Sequence, residues 1–212
     1  PIIWGLDIPP VKRQKQHGRS ITEFFLMPSF LSGLIAAALG YCIMTFLMTA
    51  TPLQVVDVSR LSHEANARVI QWHVVAMFAP SLFSGVLIAK FGVGKILWAG
   101  LACYLIGSVT ALSGTGFYIY LGALIFLGVG WNFLYVGGSA VIANSANPEE
   151  RGRVQGIADF CIFSVVALAS MLSGVAHSEL GWAVMMMIAF APIFLIAVAL
   201  IIGKPKLMKQ LA

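Results

Sequence analysis

The sequence predicts an all-α integral membrane protein built as a bundle of six transmembrane helices. Three observations carry that expectation. The 212 residues are 59% hydrophobic and only 10% charged, whereas soluble domains carry about 25% charged residues. The apolar residues fall into six runs, each near the roughly 20 residues that a helix needs to cross the hydrocarbon core. The basic residues are confined almost entirely to alternate connections between those runs. A soluble fold is thereby excluded. So is a nucleic-acid partner, because the net charge of +5 forms no basic patch interleaved with aromatics.

In chain order, residues 1–25 are polar, proline-bearing and basic, and read as a cytoplasmic linker near anionic headgroups. The opening at Pro1 lacks the pattern of a secretory leader, so the start is expected to continue a longer chain. Residues 26–212 form the membrane domain. The first span, 26–50, sets Tyr41, Thr45 and Thr49 four residues apart along one face. The second, 69–89, carries His73 beside Trp72 near its beginning. The third, 96–112, is plainly apolar. The fourth, 117–143, is the most polar: Trp131, Asn132, Tyr135 and Ser139 lie along it, the last three at i, i+3 and i+7. The fifth, 154–176, contains Asp159, about 9 Å beyond Arg153 at 1.5 Å per residue. The sixth, 182–202, holds no charge. Lipid offers backbone polar groups no partner, so each run must be helical.

Loop charge sets the orientation. Eleven of the thirteen Lys and Arg residues fall in one alternating set of connections, and the other set holds only Arg60 and Arg68. The positive-inside rule then places both termini in the cytoplasm of a multi-pass protein of the cell (inner) membrane. Cys42, Cys103 and Cys161 sit in apolar runs without CxxC spacing, and no two histidines share a helix face, so neither a metal nor a cofactor is expected.

Two loops carry a resemblance. NPEERGRVQG joins the fourth and fifth spans, with Pro148, Glu150, Arg151, Gly152, Arg153 and Gly156 at the signature positions. GVLIAKFGVGK joins the second and third, where Gly85, Leu87, Lys90 and Gly92 fit, while Ala89 stands at the acidic position. These resemble the cytoplasmic loop signatures of the major facilitator superfamily of secondary transporters. The longer run from Gly128 to Phe160 is similar to its bacterial permeases, a few of which have been linked to vitamins such as riboflavin. The resemblance implies the C-terminal half of a twelve-helix fold, made of two inverted three-helix repeats. It also implies an absent N-terminal six-helix half as partner and alternating access around a midplane site.

The family's first helix in each repeat lines the cavity, which makes Tyr41, Thr45, Thr49, Trp131, Asn132, Tyr135 and Ser139 the expected solute wall. Hydroxyls, an amide and aromatics in a mostly apolar recess orient a small molecule. Interhelical packing by the same polar residues is the alternative. Asp159 and His73 are candidates for ion coupling or gating, because ionisable groups in a membrane face a cavity or a partner. For Asp159 a structural pairing with Arg151, Arg153 or Lys90 stands beside that reading. The expected function is secondary transport of a small solute, against the alternative of a non-transporting receptor or scaffold. Gly137 to Ala140 (GGSA) resembles the serine motif of a rhomboid-type intramembrane protease, but the sixth span holds no base to activate Ser139, so no enzyme is expected.

Overall fold

The computed structural model describes residues 18–209, with side chains through Gly203. The cluster Lys12, Arg13 and Lys15 of the expected linker lies outside the described residues. The described residues are entirely helical between short turns: α1 (Ile21–Phe25), α2 (Pro28–Pro52), α3 (His63–Phe78), α4 (Ser81–Phe91), α5 (Val93–Leu112), α6 (Phe117–Asn144) and α7 (Arg151–Lys209). Four helical segments, Pro28–Val58, Val93–Leu112, Phe117–Asn144 and Arg151–Gly203, are long and apolar enough to cross a membrane. The bent pair α3–α4 makes a fifth.

Local chemistry places the boundaries. Ser20 caps α1, accepting from the Glu23 N–H, while the Glu23 carboxylate receives the Ser20 N–H in return. Pro28 starts α2 at a position where its missing N–H costs nothing. Pro52 near the other end cannot donate, and the chain widens into a π-helical segment, Leu53–Val58. The second span, expected as one run over 69–89, instead begins at His63 and bends by 41° around Pro80. Proline there withholds a donor and its ring crowds the preceding turn. Gly92, at φ 82°, ends α4 and opens α5.

The expected fifth and sixth spans lie in two separate helical arms of α7 that meet at Gly181 (φ 75°, ψ 168°), a conformation essentially reserved for glycine. There the chain doubles back. Ala158 and Ile162 pack with Phe30 and Leu34 near the start of α2, and Ser173 donates to the Phe46 carbonyl at 2.6 Å further along. Beyond the elbow, Trp182 donates to the Ala111 carbonyl of α5, and Gly203 returns to Ser32 and Pro28. His177, expected in a loop, is helical.

α2 packs against α7 and α6, and α6 packs against α5, α3 and α2. The main core joins α2, α5, α6 and the second arm of α7 around Leu47, Leu101, Leu134 and Ile193. α6 approaches its neighbours at backbone distance. A Cβ at Gly138 would stand 2.6 Å from the Gly33 carbonyl of α2, and one at Gly128 would stand 2.7 Å from the His73 carbonyl of α3. Small residues permit that contact where no hydrophobic force draws helices together in lipid.

Candidate functional site

The cavity face expected from α2 and α6 is partly assembled. Tyr41, Trp131 and Tyr135 meet in one aromatic cluster. The rings of Trp131 and Tyr135, one helical turn apart, stack at 5.3 Å and 7°. Tyr41 stands edge-on to both, at 5.2 Å and 5.4 Å. Phe78, at the end of α3, packs edge-on against Trp131 at 5.7 Å. Phe163 of α7 meets Tyr41 at 5.8 Å. Trp131 is buried, the tyrosines are half-buried, and Phe78 and Phe163 are about half exposed, at 57% and 47%. The cluster is therefore a graded wall, closed at the indole and open at the phenylalanines. Its chemistry suits stacking on a flat, unsaturated ring.

The other expected wall residues are placed differently. Asn132 is fully buried and turned away from the rings. Its Nδ2 donates to the Met77 carbonyl at 2.7 Å and to Ser81 Oγ at 2.6 Å, while its Oδ1 receives Ser84 Oγ–H at 2.8 Å. It secures the break between α3 and α4 and points away from the Trp131 ring, because a helix turns about 100° between residues 131 and 132. Thr45 is buried, and Thr49 is exposed toward the far end of α2. Ser139 is half-buried and its hydroxyl has no partner among the described residues.

Asp159 is half-buried and accepts from Gln155 Nε2 at 3.0 Å. Among the described residues no cation pairs with it, and Arg153 turns elsewhere. Asp159 lies one helical turn before Phe163, which packs on Tyr41 of the aromatic cluster. His73 is fully buried; its Nδ1–H donates to the Leu124 carbonyl at 2.7 Å, and Nε2 has no partner. Leu124 and Tyr135 are eleven residues apart on α6, about 16 Å at 1.5 Å per residue. The two titratable candidates belong to different places.

The signature loop between α6 and α7 forms a clamp on the segment before α2. Glu150 receives the Arg19 backbone N–H at 2.8 Å and Arg19 Nη2 at 2.6 Å, and also the Asn147 N–H at 3.1 Å. Arg19 reaches the Ser145 carbonyl, and Arg153 donates to the Arg19 carbonyl at 2.7 Å. The Arg19 side-chain hydrogen bond is the first cause that holds the Glu150 carboxyl down at about 2, from its ordinary 4.5. Pro148 lies in the turn, while Arg151, Gly152 and Gly156 face open space. In the other loop Lys90 lies over the Phe91 ring at 5.3 Å, and Gly85 meets no neighbour.

A second polar knot sits at the opposite end. Gln54 of the π-helical segment donates to Tyr120 OH at 2.9 Å and accepts from His177 Nε2 at 3.1 Å, and Ser59 joins Tyr120 at 2.6 Å. Sequence reasoning missed Phe78, Phe163 and this knot. The available signal was an aromatic just before Pro80, and a phenylalanine one turn beyond Asp159.

Comparison with known proteins settles the family. The Major Facilitator Superfamily model matches residues 33–211. The chain belongs to the Major Facilitator Superfamily. It is a multi-pass membrane chain of a transporter family, not of an enzyme family. It is 39% identical over 211 residues to the riboflavin transporter RfnT of Brucella anthropi, covering 97% of this chain and 53% of that protein. It is 34% and 33% identical to two uncharacterized MFS-type transporters of Bacillus subtilis, YddS and YdeG, over 69% and 67% of this chain and 34% and 33% of theirs. The chain thus spans about half the length of the first relative and about a third of the others. Within this superfamily chain, the loop clamp and the aromatic wall are the features with chemistry to offer.

Proposed function

We propose that the chain is the C-terminal six-pass half of a permease that moves a small planar aromatic solute, riboflavin or a chemical relative, by alternating access. The aromatic cluster carries this reading. Rings from α2, α3, α6 and α7 converge on one half-open wall, and a flavin-like ring is the ligand that stacking recognises. The name of the Brucella anthropi relative agrees with that chemistry.

The six passes are α2, the α3–α4 pair, α5, α6 and the two arms of α7. They group as two three-helix repeats, α2 to α5 and α6 to α7. The packing supports this grouping: α2 lies against the arms of α7, and α6 lies against α3 and α5. Each leading helix therefore seats on the second and third helices of the other repeat, as inverted repeats require. The segregation of loop Lys and Arg supports cytoplasmic termini and residence in the cell membrane. The absent partner is an N-terminal half that faces the aromatic wall. Asp159, beside that wall and without a cation among the described residues, is the residue to which we assign ion coupling.

Uptake into proteoliposomes containing the full-length protein tests the reading. Riboflavin is expected to enter and to be competed by related planar rings. Absence of uptake across a panel of aromatic solutes, with the protein correctly inserted, overturns it.

A further inference from the structure

At the end of the bundle where α2 begins, the two arms of α7 leave an apolar groove of about 580 Å³ against α2. Leu31 and Leu39 of α2, Cys161 and Val165 of the first arm, and Val198 and Ile202 of the second are among its walls. The aromatic cluster is not part of it. The one hydroxyl in the lining, Ser32, is already donated to the Ser29 carbonyl at 2.8 Å. A polar solute finds no partner there, whereas a hydrocarbon needs none.

Depth and charge specify the occupant. The lining runs along α2 from Pro28 to Leu39, eleven residues or about 16 Å at 1.5 Å per residue, which is half of a hydrocarbon core about 30 Å thick. The groove thus has the reach of one acyl chain in one leaflet. At its mouth Leu26 is 77% exposed, as suits the boundary between headgroups and tails. Just past Ile202, the helix continues through positions 204, 206 and 209, all lysine. Arg19, on the other side of α1, is committed to Glu150, so the basic residues of the sequence next to this end of the groove are those lysines. Basic residues beside a membrane surface attract anionic headgroups at about fivefold in affinity each.

We propose that this groove is a binding site for one anionic phospholipid, its acyl chain between the arms of α7 and its headgroup at the lysine end. The site is separate from the solute wall and does not depend on what is transported.

Native mass spectrometry of the full-length protein, offered phosphatidylglycerol and phosphatidylcholine in equal amounts, tests it. One phosphatidylglycerol is expected to survive conditions that strip phosphatidylcholine. Ala199→Trp, which fills the groove, is expected to lose that lipid. Lys204→Gln with Lys206→Gln is expected to lower the preference by about fivefold per lysine. These positions lie past Leu200, the last large core residue among those described, so the pair reports even where Ala199→Trp fails to fold. Equal retention of both lipids, an unchanged preference in the lysine pair, or full retention by a folded Ala199→Trp overturns the proposal. Exclusion of both lipids also overturns it, and points to the other half or a second copy covering the groove.

Discussion

Trp131 and Asn132 are chain neighbours with opposite duties. The indole belongs to the aromatic wall, and the amide holds the α3–α4 break closed through Met77, Ser81 and Ser84. Interhelical hydrogen bonds in membranes average about 0.6 kcal/mol each, so Asn132→Leu should lower stability by about 1–2 kcal/mol. Solute affinity should stay close to wild type, which thermal unfolding and equilibrium binding together would reveal. Asp159 makes the reverse prediction: Asp159→Asn should abolish gradient-driven accumulation and spare counterflow exchange. Loss of both activities would remove the coupling assignment. Glu150 sets a pH window. Its carboxyl is lowered to about 2 from 4.5, so its contribution to docking the Arg19 segment is full above pH 4.5 and disappears as pH falls through about 2. Hydrogen exchange at residues 18–25 should rise across that interval in the wild type, and Glu150→Gln should show the raised exchange already at neutral pH.

At the scale of elements, spans and loops were legible in the sequence wherever hydropathy alone decides. α2, α5 and α6 overlap the apolar runs of the sequence, and Gly92 ends α4. The rest depends on geometry that periodicity does not encode. The bend at Pro80 and the π-helical segment after Pro52 follow from missing donors, but their partners, Asn132 and Tyr120, lie 51 to 66 residues away in sequence. The elbow at Gly181 is a single residue at which the two helical arms of α7 meet and the chain doubles back. Glycines in the spans were visible as a class, although only contact geometry picks out the ones under compression. Gly138→Val should push α6 from the Gly33 carbonyl of α2 and lower stability by about 1–3 kcal/mol, measured as a shift in thermal unfolding. Gly156→Ala, at a position with open space around it, should change it by less than about 1 kcal/mol, in the stabilising direction for a helix interior.

Across the whole molecule, composition and loop charge place the chain in a bilayer, and the loop between α6 and α7 carries the resemblance that the Major Facilitator Superfamily match over residues 33–211 bears out. Seven wall residues were expected from the sequence. Three of them, Tyr41, Trp131 and Tyr135, converge, and Asn132 does not, because position 132 faces α3 and α4. Phe78 and Phe163 carry no polar group themselves, which is why hydroxyl and amide spacing could not find them. In the proposed permease, a flat solute would sit on this wall between two halves and be released as they rock. That account stands or falls on Trp131. Equilibrium binding of riboflavin by the full-length protein, compared between wild type, Trp131→Phe and Trp131→Ala, measures it directly. The account predicts that Trp131→Phe stays within about threefold of wild type and that Trp131→Ala loses about tenfold, about 1.4 kcal/mol, because Tyr41, Tyr135 and Phe78, the more open rings packed on the indole, lose their support. Unchanged affinity in a folded Trp131→Ala would contradict it.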